Sequence, residues 1–266
     1  MPQTSWVASA ANLISSIGTP SFPAAMVALL RSVTPYSYTV MFGFQGSARP
    51  LALYDDFPAA KRKVFVTDYQ DGPYLLDPFF LASVQPVAPG LYRMRDLAPD
   101  RFYQGEYFRN YYVRTGLAEE IGVFVALPDA VTVVISLMRS EKPFSAREIR
   151  AIEAIRPVIE AATLQHWGDL ALRFGRDKDD SEAARLQRRI EQSFHSFGGG
   201  LLTPRERQVV EYTLKGHSSE AIGRILAIAP GTVRIHRRNI YAKLHIRSQG
   251  ELFSRFILAL GGRSGF

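Results

Sequence analysis

The sequence predicts an α+β protein: an N-terminal α/β/α sandwich, with an antiparallel sheet covered by helices, followed by a small all-α domain of four helices. Three observations predict it. Short apolar runs with strand character recur in the first part, two of them separated only by Pro128-Asp129-Ala130. The last part carries hydroxyl N-caps at Thr203, Ser218 and Ser248, each followed by an apolar stripe at helical spacing. The charge is also divided. Residues 1–200 hold 21 Lys and Arg against 21 Asp and Glu, whereas residues 201–266 hold 11 against 4, so the net charge of +7 belongs to the C-terminal part.

In the first part, Ser37–Phe44 and Val64–Tyr69 read as strands, and Ile121–Leu127 with Val131–Met138 as a hairpin. Ser145, with Glu148 three residues on, has the spacing of a capping box. The long helix it starts carries Ile149, Ile152, Ile155, Ile159 and Leu164 on one face and a kink at Pro157. Arg173–Gly200 begins with a charged run and ends in three glycines, the composition of a linker. Within it, Leu186, Ile190 and Phe194 define a short amphipathic helix over Glu182–Phe194, which either pairs with its copy in a dimer or docks on a neighbouring domain. The expected divisions are therefore 1–172, 173–200 and 201–266.

The C-terminal punctuation is dense. Thr203 caps a helix with Pro204 at its first position, Glu206 completes the box, and Gly216 closes the turn. Ser218 caps a second helix with Ile222, Ile225 and Leu226 facing inward. Ile228-Ala229-Pro230-Gly231 then turns the chain into a third helix. Its inner face is Val233, Ile240 and Leu244, and Arg234 and Arg238 lie one turn apart on the outward stripe. A fourth helix follows Ser248, carrying Leu252, Phe253, Phe256, Ile257 and Leu260.

Two short helices joined by a tight turn, the second basic on its exposed side, fit a DNA major groove ~12 Å wide, where an arginine takes both acceptors of a guanine edge. Leu202-Thr203-Pro204-Arg205-Glu206-Arg207, Gly216, Ile222, Leu226 and Gly231-Thr232-Val233-Arg234-Ile235-His236 resemble the LuxR-type helix-turn-helix. The likeness continues through Asn239-Ile240, Lys243-Leu244, Arg247-Ser248 and Glu251-Leu252. It implies a tetrahelical DNA-binding domain and a transcription regulator. By position it implies that Arg234, Ile235 and Arg238 face bases, that Thr232, Arg237 and Lys243 meet phosphates, and that the fourth helix mediates dimerisation. Two departures stand out. Ala229 replaces a capping serine and Gly223 replaces an alanine, each at a cost of about 1 kcal/mol. His236, near the inner face, reads as a structural hydrogen-bonding residue.

Other function classes lose their support. Zero cysteines excludes disulfides, thiolate zinc sites, iron-sulfur clusters and cysteine nucleophiles. No glycine-rich phosphate loop is present, and Asp55-Asp56 lacks the later strand-ending aspartate of a phospho-receiver. His166 and His195 have no nucleophile or metal partner at suggestive spacing. Neither enzyme activity, a cofactor nor a metal is expected. No apolar run reaches membrane-spanning length and the start lacks signal-peptide character, so a soluble cytoplasmic protein is expected.

What the first part senses is written in its aromatics. Phe65 to Tyr112 is rich in rings accompanied by Asp68, Asp71 and Asp77, a mixture suited to a small-molecule pocket. Phe65, Tyr69, Tyr74, Asp77, Tyr92, Tyr103 and Tyr107 are the candidate ligand-binding residues. This region distantly resembles the autoinducer-binding domain of quorum-sensing LuxR proteins. Phe65, Tyr69, Asp77-Pro78 and Tyr92 fall near that family's aromatic residues, its Asp-Pro step and its second tryptophan, although both tryptophans are absent here. The resemblance implies an acyl-homoserine lactone. An ionised Asp77 among rings would instead favour an amine. The alternative is that the aromatics form core and a protein-interaction surface without a ligand, with Asp77 as a turn or cap residue. Because one helix reads only a few base pairs, a homodimer on a near-palindromic site is expected in either case.

Overall fold

The structure, a computed structural model, describes residues 5–84, 87–105, 108–109, 116–176 and 197–260. The helix expected at Glu182–Phe194, and His195 beside it, lie outside them. The chain divides into two compact units. One comprises Met1–Val66, Phe79–Leu97 and Gly116–Asp179, the other Thr67–Pro78, Ala98–Thr115 and Asp180–Phe266.

The first unit contains α1 (Ser5–Ser15), α2 (Phe22–Val33), β1 (Tyr38–Gln45), β2 (Leu51–Asp55), α3 (Ala59–Arg62), most of α4 (Pro78–Val84), β3 (Gly90–Arg93), α5 (Met94–Leu97), β4 (Glu119–Leu127), β5 (Val131–Arg139), α6 (Ala146–Trp167) and α7 (Ala171–Arg176). Its strands form an antiparallel sheet in the order β2-β1-β5-β4-β3, with an irregularity in the β1–β2 pairing at Met41/Phe42. The expected hairpin is there. Leu127 pairs with Val131 and the register runs back to Glu119 opposite Arg139. Asp129 (φ 59°) and Ala130 (φ 56°) make the reversal in left-handed conformations, which aspartate tolerates better than alanine.

The two-residue period sorts the sheet into two faces. Met41, Ile121, Val123, Val125, Val133, Ile135 and Leu137 join Leu13, Phe22, Met26, Leu29 and Leu30 of α1 and α2 and Ile152, Ile155 and Ile159 of α6 in a mainly aliphatic core. The other face is aromatic. Phe44 packs on Phe80, and Phe79 stands edge-on to Phe124 with ring centres 5.3 Å apart. Gly122 permits that approach, since a Cβ there would come within 2.9 Å of the Phe79 ring.

The long helix starts as expected, with reciprocal Ser145 and Glu148 capping bonds. Arg139 pairs with Glu148 at 2.8 Å, and its hydrogen bond, with that of Ser145, pulls the Glu148 carboxyl down to about 2. The sheet and the helix start are thereby tied together. Leu164 is not on the inner face but 46% exposed, and Ala162, Thr163 and Trp167 are buried there instead. Five residues beyond Ile159, Leu164 has rotated about 140° off its stripe.

The strand expected at Val64–Tyr69 is instead a wide helical turn, Lys63–Asp68, continuing α3. Adjacent Phe65 and Val66 are both buried. A strand would point them to opposite sides and need apolar cover on both, whereas the widened turn leaves both buried and stacks Phe65 on Phe57 at 4.6 Å.

In the second unit, α8 (Pro204–Leu214), α9 (Ser219–Leu226), α10 (Pro230–Lys243) and α11 (Gln249–Leu260) form the expected four-helix domain. Val209, Leu214, Ile222, Leu226, Val233, Ile240, Leu244, Leu252 and Phe256 fill its core. Ile225, expected inward, is 46% exposed, because Ala221, Ile222 and Leu226 already make the buried stripe of this short helix. Among the described residues, no helix is long and apolar enough to cross a membrane.

Candidate nucleic-acid interface

Local chemistry fixes where the outward face of α10 points. At the start of α8, the Glu206 backbone N–H donates to Thr203 Oγ1 at 3.2 Å and the Thr203 N–H donates to Glu206 Oε2 at 2.8 Å. Glu206 is buried and reaches across to Lys243 Nζ at the end of α10, 2.7 Å away. Burial alone would raise its carboxyl, but hydrogen bonds from Lys243 and Thr203 carry it below the ordinary carboxylate range. One ion pair therefore fastens the start of α8 to the end of α10.

Gly216, at φ 93°, ends the first turn, and the Ser218 hydroxyl accepts from Ala221 N–H at 3.1 Å to start α9. The turn into α10 is unusually close. A Cβ on Gly223 would come within 2.8 Å of the Ile228 carbonyl oxygen, so the glycine is required by the turn itself. Ala229 sits at the N-cap of α10 without a side-chain cap bond.

The two stripes of α10 separate cleanly. Val233, Ile240 and Leu244 are at most 1% exposed, while Arg234, Ile235 and Arg238 face solvent. Arg234 pairs with Glu220 of α9 at 2.6 Å, both side chains being more than half exposed. Thr232 is exposed near the helix start. Arg237 is half-buried and donates to Gln249 Oε1 at 3.0 Å and Tyr241 Oη at 3.3 Å, which bridges α10 to α11. Lys243 is held by Glu206, and His236 is half-buried.

The candidate ligand residues fall in both compact units. In the second, the Tyr69 hydroxyl donates to Asp77 Oδ2 at 2.7 Å and the Tyr69 and Tyr74 rings lie 6.2 Å apart. Asp77 also ends the short turn Pro73–Leu76, its N–H donating to the Tyr74 carbonyl at 3.0 Å. Tyr103 is 44% exposed and packs edge-on against Phe102 and Phe108. In the first unit, Phe65 stacks on Phe57, and Tyr92 stands edge-on to Phe124 and donates to the Ala88 carbonyl at 2.7 Å. Tyr107 lies outside the described residues. Sequence reasoning missed Asp100, whose Oδ1 accepts from the Ser218 N–H at 3.0 Å across 118 positions, a pairing that no local signal announces.

The family model of bacterial regulatory proteins of the luxR family matches residues 200–256. A protein of Aeromonas salmonicida, named as an HTH-type transcriptional regulator in the exeN 3′ region, is 33% identical over 183 residues, covering 68% of this chain and 93% of that relative. The monoamine regulon transcriptional regulator of Klebsiella aerogenes is 28% identical over 149 residues, 56% of this chain and 54% of that protein. In structure, the LBD domain of VqsR from Pseudomonas aeruginosa superposes with a TM-score of 0.54 at 24% identity, covering 61% of this chain and 96% of that one, which supports the sheet-and-helix fold. A relative matched along nearly its whole length and a family model lying on the four helices agree, and the chain belongs to the LuxR family of bacterial regulatory proteins, DNA-binding regulators of transcription and not enzymes.

Proposed function

We propose that the chain is a homodimeric cytoplasmic regulator in which residues 201–266 read DNA under the control of a small organic ligand sensed by residues 1–172, with 173–200 as linker. Arg234, Ile235 and Arg238 read base edges, and Thr232, Arg237 and Lys243 take phosphates. The observation that carries this reading is the division of α10, whose buried stripe of Val233, Ile240 and Leu244 turns Arg234, Ile235 and Arg238 outward together.

For the ligand, the supporting group is Tyr69, Tyr74 and Asp77, a carboxylate hydrogen-bonded by a phenol beside a second ring. A carboxylate among tyrosine rings suits an organic cation, and the Klebsiella relative takes its name from a monoamine regulon. An amine is therefore the preferred ligand class over an acyl-homoserine lactone.

The test has two arms on the full-length protein. Selection from random duplexes should enrich a near-palindromic sequence, and recovery of no preferred sequence would overturn specific readout. Thermal-shift measurements should show stabilisation by aromatic or aliphatic amines, about 2.7 kcal/mol at a hundred times the dissociation constant. The shift should vanish in Asp77→Asn. A shift with lactones alone, or one unaltered in that variant, would overturn the amine reading.

A further inference from the structure

The compact unit that holds the four helices also contains a short segment from far earlier in the chain, Ala98–Gly105. It is fastened to the turn between α8 and α9 by two hydrogen bonds. Arg101 N–H donates to the Gly216 carbonyl at 3.0 Å, and Ser218 N–H donates to Asp100 Oδ1, also at 3.0 Å. The backbones are nearly in contact, since a Cβ on Gly216 would lie 2.9 Å from Phe102 Cα. Gly216 thus answers two demands at once: a left-handed turn and room for another strand of chain. Burial pushes the Asp100 carboxyl up, but hydrogen bonds from Ser218 and the charge of the nearby His217 leave it below its ordinary value, so the fastening is ionised at neutral pH.

The result is a specific placement of Arg101. Its side chain is exposed and lines a cleft of about 470 Å³ with Ser219, Glu220, Arg234, Arg237 and Arg238. Four guanidinium groups and one carboxylate share this space, and the carboxylate already lies 2.6 Å from Arg234. The cleft therefore carries excess positive charge, adjoining the outward stripe of α10 without covering it, for Arg234, Ile235 and Arg238 remain exposed. A guanidinium beside base-reading arginines, at the first residues of the preceding helix, stands where a duplex backbone passes when a recognition helix enters the major groove. Its planar fork matches a phosphate bidentately.

We propose that Arg101 is a DNA phosphate contact, so that the DNA-binding surface is assembled from the Asp100–Arg101 segment as well as from residues 201–266. Asp100 is its positioning residue. This inference rests on the DNA-binding reading and extends it to a residue outside the helix-turn-helix.

The experiment measures binding of the full-length protein to mixed-sequence duplexes of about 30 base pairs across a salt series, with wild type, Arg101→Ala, Arg101→Lys and Asp100→Ala compared. Loss of one phosphate contact should lower the slope of log affinity against log salt by ~0.9 and weaken binding several-fold for every duplex alike. Arg101→Lys should keep most of the slope, because the charge remains. Asp100→Ala should lose part of it although Arg101 is intact, as expected of positioning. An unchanged slope in Arg101→Ala, with wild type binding normally, overturns the proposal alone. Failure of the wild type to bind any duplex overturns the DNA-binding reading beneath it, and the proposal with it.

Discussion

The Lys243 ammonium lies 2.7 Å from the Glu206 carboxylate, whose side chain is only 4% exposed, so the end of α10 is tied to the cap that starts α8. Truncating Lys243 leaves an ionised group buried with Thr203 as its remaining partner. Because the lysine is itself 38% exposed, water screens part of the pair, and Lys243→Ala should cost about 1–2 kcal/mol rather than the larger loss of a fully buried pair. Chemical denaturation checks this. A variant as stable as wild type would show that water replaces the ammonium without loss.

Base and phosphate contacts should separate in binding data. Arg238→Ala should weaken the preferred site by about 1–3 kcal/mol and relax discrimination at one base position, whereas Lys243→Ala weakens all sequences alike. Glu220→Gln removes the carboxylate that, among the described residues, lines the arginine-rich cleft and frees Arg234, so affinity for every duplex should rise. An affinity that falls on that substitution would mean the ion pair preorganises Arg234 and does not restrain it.

Gly223→Ala sets two effects against each other. Alanine gains about 1 kcal/mol of helix propensity at that position. Its methyl group, however, would meet the Ile228 carbonyl oxygen at 2.8 Å, a backbone atom that cannot swing aside. The clash should win, with a net loss of about 1–2 kcal/mol in denaturation. A stabilised variant would show that the turn into α10 is looser than these distances state.

Two imidazoles give the fold a pH dependence. Burial holds His217 below its ordinary pKa, against a smaller opposing pull from Asp100. Burial does the same to His166, whose Nδ1 accepts the Gly18 N–H at 2.9 Å and whose ring stacks on Phe22. The unfolded chain therefore binds more protons than the folded one just below pH ~6.5, and stability, complete above that value, falls as pH falls. The melting temperature should drop between about pH 7 and pH 5, and less steeply in His166→Phe. Further acidification then draws on Glu148, whose contribution is full above its ordinary carboxylate pKa and is lost as pH descends toward about 2.

The parts legible in the sequence were those written in neighbouring residues. Thr203 with Glu206, Ser145 with Glu148 and the Pro128-Asp129-Ala130 reversal all declare themselves within a few positions, and the stripe of Val233, Ile240 and Leu244 within three turns. Elements that depend on what covers them were not. Val64–Tyr69 has strand composition, but the burial of both Phe65 and Val66 decides for a helical turn. Arg237 and Lys243 look like free cations in sequence, and only the packing of Gln249 and Glu206 against them shows that they also hold the domain together. Asp100 was invisible because its partner Ser218 is 118 residues away.

That same separation bears on how the molecule is made. A ribosome releases Asp100 well before Ser218 exists, so the earlier segment must wait, unpaired, while the sheet that follows it is completed. The four-helix domain closes over short sequence distances and should form quickly once synthesised, but its contact with Asp100 requires closing a loop of more than a hundred residues. The last step in building the surface would then be the capture of an early-made segment by a late-made one, and a chain that stalls before its final helices would leave Arg101 without Arg234, Arg237 and Arg238 beside it.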